Sequence, residues 1–97
     1  MSEVVRVRRD MGCTRAEFMG WLAGATRGAP LRINGSGATI SLTGGSVEIA
    51  LEEKPPRTIG ALTLPVLGTT FAFDGLDPAA REDFLRFFDL YTRRGGG

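Results

Sequence analysis

The sequence predicts an α+β fold: an antiparallel sheet of five or six strands with two helices on one face, in the order β-α-β-β-β-β-β-α. Three observations carry this expectation. Residues 31–52 alternate apolar and polar side chains in short runs parted by glycine turns, the period of half-buried strands. Two segments, opening at Thr14 and Asp77, carry apolar residues three and four apart behind helix-start signals. The runs after the first helix are joined by turns, so neighbouring strands pair antiparallel.

Val4 to Arg9 opens the chain as a half-buried strand, with Val5 and Val7 on one face and Arg6 and Arg8 on the other. After a turn at residues 10–13, Thr14-Arg15-Ala16-Glu17 has the form of a capping box. Phe18, Trp21, Leu22 and Ala25 then make one apolar stripe, which Gly28 and Pro30 end. Leu31 and Ile33 begin the strands. Ala38, Ile40 and Leu42 follow the Gly35-Ser36-Gly37 turn, and Val47, Ile49 and Leu51 follow the Gly44-Gly45 hairpin turn. Residues 53–57, with Pro55 and Pro56, read as a break that leaves Lys54 in a solvated turn. Thr58 to Val66 reads as a strand apolar on both faces, placed at an edge or bulge by Pro65. Leu67-Gly68 turns into a last strand carrying Phe71 and Phe73.

Asp77-Pro78 then starts a helix with an N-cap carboxylate and proline at the first helical position. Phe84, Phe87, Phe88 and Tyr91 form its stripe. Glu82 with Arg86, and Asp89 with Arg93, have the spacing of i,i+4 ion pairs, and Gly95 suits the residue just past the helix end. This element order is similar to a reduced helix-grip arrangement. Residues 1–97 read as one domain with 95–97 as a flexible tail.

The 97 residues contain no histidine and one cysteine, which removes most catalytic constellations. A Ser-His-Asp or Cys-His pair, a histidine-bound zinc and an intrachain disulfide are all excluded within one chain. A net charge of +1 is too balanced for a dedicated nucleic-acid binder, although eleven of the twelve cationic side chains are arginine. No run approaches the roughly 20 apolar residues of a membrane span. A single free thiol fits a reducing compartment, so the expected location is cytoplasmic.

The residues that could carry function form three groups. Trp21, Phe71, Phe73, Phe84, Phe88 and Tyr91 would line a cavity if the helix stands off the sheet, and would form the core if it does not. Arg6, Arg8, Arg9, Arg93 and Arg94 would make one basic patch for an acidic ligand or RNA if the first strand lies beside the last helix. Cys13 precedes a helix N-terminus, where the dipole favours a thiolate, and is the one candidate reactive thiol. Gly35-Ser36-Gly37 lacks the third glycine of a dinucleotide fingerprint and precedes a strand. The acids Asp74, Asp77, Glu82 and Asp83 match no calcium-loop spacing. No cofactor or metal is expected.

Ile59-Gly60, Leu62-Thr63-Leu64-Pro65, Phe73-Asp74-Gly75, Phe84-Leu85 with Phe88, and Arg94-Gly95-Gly96-Gly97 resemble a group of small uncharacterised bacterial proteins. That resemblance covers residues 58–97 and implies no activity. Arg93-Arg94-Gly95-Gly96-Gly97 also resembles the tail of ubiquitin-like carriers, but follows a helix where that family has a strand. The expected function is a non-enzymatic interaction module with a protein partner or a second copy of itself. The alternative is a binder of a small apolar ligand.

Overall fold

Alternation along each strand sorts the side chains of the sheet into a helix side and an open side. The structure, a computed structural model, describes residues 4–96 and the side chains of residues 4–93. Strands β1 (Val4–Met11), β2 (Leu31–Asn34), β3 (Gly37–Leu42), β4 (Gly45–Ile59) and β5 (Leu62–Asp74) form one antiparallel sheet in the order β1-β5-β4-β3-β2. Helices α1 (Arg15–Ala25) and α2 (Pro78–Gly96) cover one side. The fold is α+β, as expected, with five strands.

The register brings the apolar positions into rows. Val5, Phe73, Val47, Ile40 and Leu31 lie across the sheet in one row, and Val7, Phe71, Ile49, Ala38 and Ile33 in the next. Phe18, Leu22 and Ala25 of α1 and Phe84 and Phe88 of α2 bury themselves on these rows. Ile33 ends its row exposed on the outermost strand.

Both helices start as their sequences dictate. The Thr14 hydroxyl accepts from the Glu17 backbone N–H, and the Glu17 carboxylate accepts from the Thr14 N–H. The Asp77 carboxylate accepts from the Ala80 N–H. The α2 backbone runs through Gly95 to Gly96, past the expected stop, because a glycine in a helix costs only about 1 kcal/mol relative to alanine. Gly97 and the Arg94 side chain lie outside the described residues.

The expected break at residues 53–57 and the turn at Leu67-Gly68 are both strand. β4 continues through Pro55 and Pro56, which bulge where Lys54 pairs with Val66 and Arg57 with Leu64. Two residues oppose Pro65 alone, so the proline in β5 sits opposite a bulge. The chain reverses at Gly60-Ala61, where Gly60 takes a φ of 59°, as the first position of a type II′ turn requires. Thr58 to Val66 is therefore no separate strand; it is the tip of one long hairpin. Prolines are tolerated here because each strand has lost its outer neighbour. β3 pairs with β4 only as far as Ala50, and β1 with β5 only back to Leu67.

Candidate functional site

Beyond those two points the β4–β5 hairpin is a two-stranded arm, with no third strand among the described residues. Five residues of β5, from Leu62 to Val66, carry it about 17 Å out at 3.3 Å per residue. The arm accounts for a long axis of 49 Å in a molecule otherwise 25 by 24 Å.

Directly paired residues of an antiparallel ladder share a face. Ile59 with Leu62, Arg57 with Leu64 and Lys54 with Val66 therefore lie on one side of the arm. The same parity along β5 continues through Gly68, Thr70 and Ala72 onto the open side of the sheet. Ile59, Leu62 and Leu64 are 54%, 64% and 41% exposed. Three large apolar side chains thus stand in solvent on an element that buries nothing beneath it. Isolated two-stranded ribbons are marginal in water, so this one leans on its continuity with the sheet.

The open side is floored by small residues. Ala72 and Glu48, Thr70 and Ala50, and Gly68 and Glu52 pair across β5 and β4, flanked by Arg6, Arg8 and Asp10 of β1. Two shallow recesses follow this floor. One of about 290 Å³ lies among Arg6, Thr39, Glu48, Ala50, Thr70 and Ala72. The other, about 200 Å³, lies among Arg8, Asp10, Glu52, Lys54, Gly68 and Thr70. Lys54 reaches across Gly68 to Asp10, with Nζ 2.9 Å from the carboxylate. That hydrogen bond holds the Lys54 ammonium above its usual range. Among the described residues Glu48, Glu52 and Arg57 take part in no ion pair.

The candidate aromatics are divided. Phe71, Phe73, Phe84 and Phe88 pack on one another and on Phe18 with ring centroids 5.2–6.3 Å apart, a solid cluster. Tilted and edge-on pairs of this kind are worth about 0.5–1.5 kcal/mol each beyond area burial. Trp21 is half-buried at a recess of about 270 Å³ above Cys13. Tyr91 lies outside, stacked on Phe87. A separate recess of about 260 Å³ opens between the helix ends and β3, lined by Leu42, Leu76, Phe84 and Phe87. Beside it the Arg27 guanidinium sits 4.1 Å from the centre of the Phe87 ring.

Among the described residues, Arg6, Arg8, Arg9 and Arg93 do not form one patch. Arg6 and Arg8 lie on the open side, whereas Arg9 turns to the helix side, bonds to Asp89 and lies over Phe71. Arg93 lines the recess above Cys13. Asp89 therefore pairs with β1 rather than with Arg93, and Arg86 pairs with Asp83 rather than Glu82. Cys13 is buried, and its thiol is held above the usual range by desolvation and then by Glu17. Burial opposes the helix dipole and prevails. Among the described residues no three of the acidic side chains and Cys13 gather as a metal site.

The sequence carries a signal for the arm. Thr58 and Thr63, and Ile59 and Leu62, mirror each other about Gly60-Ala61, as a hairpin requires. Comparison with protein-family models, curated proteins and solved structures found no match. No helix among the described residues is long and apolar enough to cross a membrane.

Proposed function

We propose that this chain is a non-enzymatic protein-interaction module that binds through the apolar side of the β4–β5 arm. The observation that carries the reading is the exposure of Ile59, Leu62 and Leu64 on a hairpin without cover. Single exposed leucines are ordinary, but three aligned on one projecting ribbon form the kind of patch that partners cover. The weak nucleophilicity of a buried Cys13 and the absence of histidine support a role in binding rather than turnover. The free thiol also favours a reducing, cytoplasmic setting.

The test is a chain carrying I59T, L62T and L64T, which keeps strand-forming residues and removes the apolar surface. Association of the wild type, read as solution mass and as partners held by cross-linking, should vanish in this variant while the far-UV circular dichroism stays unchanged. Equal association by both chains sinks the reading. A second reading, a small apolar ligand, is favoured by the recess at Leu42, Leu76, Phe84 and Phe87 rather than by the aromatic cluster. Amide chemical-shift changes confined to those residues on titration with a short fatty acid would support it.

A further inference from the structure

We infer that the partner of the arm is a second copy of this chain: two copies pack open side to open side with their strands running oppositely, each laying its arm over the other's sheet. The inference rests on the interaction reading above and names its partner. Both halves of the contact lie on the same side of the same two strands, so one surface holds an apolar ridge and the floor to receive it.

A two-fold axis near the Leu67–Glu53 pair fixes the register. It sets Leu62 over Ala72 of the partner and Leu64 over Thr70 of the partner, while Val66 meets the Lys54 side chain that crosses Gly68 of the partner. Large side chains of the arm meet small ones of the floor, at the two recesses described above. The same rotation places Ile59 beside Glu48 of the partner, and Arg57 over Ala50 of the partner. Arg57 then lies between Glu48 and Glu52 of the partner, each two residues from Ala50 on β4. Among the described residues none of these three takes part in an ion pair within its own chain. Symmetry repeats each contact, as an isologous interface demands.

Six rows of paired residues span about 33 Å and two strands about 10 Å. A footprint of that size belongs to the small class of protein contacts, which associate weakly. The dimer is therefore expected in the micromolar range or above.

Sedimentation equilibrium over a wide concentration series tests it, with two charge-reversed chains, R57E and the double variant E48K/E52K. The wild type should show a monomer–dimer equilibrium. Each reversed chain alone should bind itself about tenfold or more weakly, as expected when a close charge pair is made repulsive. An equimolar mixture should recover the wild-type affinity, because position 57 of one chain then faces opposite charge at 48 and 52 of the other, in both contacts. Circular dichroism and melting of each reversed chain confirm folding. A wild type that stays monomeric throughout overturns the inference, as does self-association indifferent to the reversals or a mixture that fails to recover. If the wild type is monomeric yet cross-linked partners are still lost on I59T/L62T/L64T substitution, only self-pairing fails and the arm reading stands.

Discussion

Truncating a leucine on the arm should leave the fold nearly intact, where the same truncation under the helices should not. Leu22 is 0% exposed against the sheet, and Leu62 is 64% exposed near the arm tip. A buried leucine cut to alanine loses about 2.7–5 kcal/mol, the transfer term plus the cavity left behind. About a third of Leu62 is covered, so its loss is roughly 0.7 kcal/mol, a third of the ~2 kcal/mol of a fully buried leucine. Each kcal/mol moves the melting temperature of a domain this size by about 4–8 °C. Leu22→Ala should therefore melt roughly 11–40 °C lower, or fail to fold, and Leu62→Ala roughly 3–6 °C lower. Scanning calorimetry in dilute solution measures both. In concentrated solution the gap between wild type and Leu62→Ala should widen, because association stabilises only the wild type. A drop beyond about 10 °C for Leu62→Ala in dilute solution refutes the reasoning, since the monomer would then cover the arm itself.

Three further outcomes follow from named contacts. Thr14→Ala should cost about 0.5–2 kcal/mol by removing the capping box of α1, and Thr14→Ser should restore most of it; urea denaturation reads the difference. Cys13 has a folded pKa above its unfolded one. Its contribution to stability is therefore complete below the unfolded value and is lost as pH rises through the folded one. From about pH 8.5 upward the wild type should lose urea stability faster than Cys13→Ser, and its alkylation should lag behind that of a free cysteine; parallel stability curves would count against this. Gly37→Ala would press a Cβ onto the Ile49 carbonyl oxygen, backbone that β3 and β4 share. A cost of about 1–3 kcal/mol is expected, and an unchanged melting temperature would contradict the tight strand approach.

What was legible in the sequence was local. The capping box, the Asp77 cap and the alternation of Val5 and Val7 with Arg6 and Arg8 involve residues a few positions apart, and the structure repeats them. The i,i+4 ion pairs were equally local on paper and did not form as expected. Asp89 has two cations within reach, and Arg9, fixed on the helix side by strand parity, takes it in a half-buried site where the pair is less exposed to water. The same parity split the expected arginine patch. Thr58 to Val66 showed two apolar faces and hence a need for cover, but not that the domain itself leaves that cover unsupplied.

The arm shows the division most plainly. Sequence alone placed β-strand runs between residues 45 and 74 with Pro55, Pro56 and Pro65 among them, and it read Thr58 to Val66 as one strand apolar on both faces, with no turn at Gly60. Whether proline ends a strand depends on how many neighbours that strand must hydrogen-bond, and the count is set by where β1 and β3 stop. Strand ends are fixed by packing of the whole sheet under the helices, so only the tertiary structure could turn an apparent break into a projecting ribbon. Cys13 follows the same rule. Its place before a helix was written in the chain, but its burial, which keeps the thiol protonated, came from the fold.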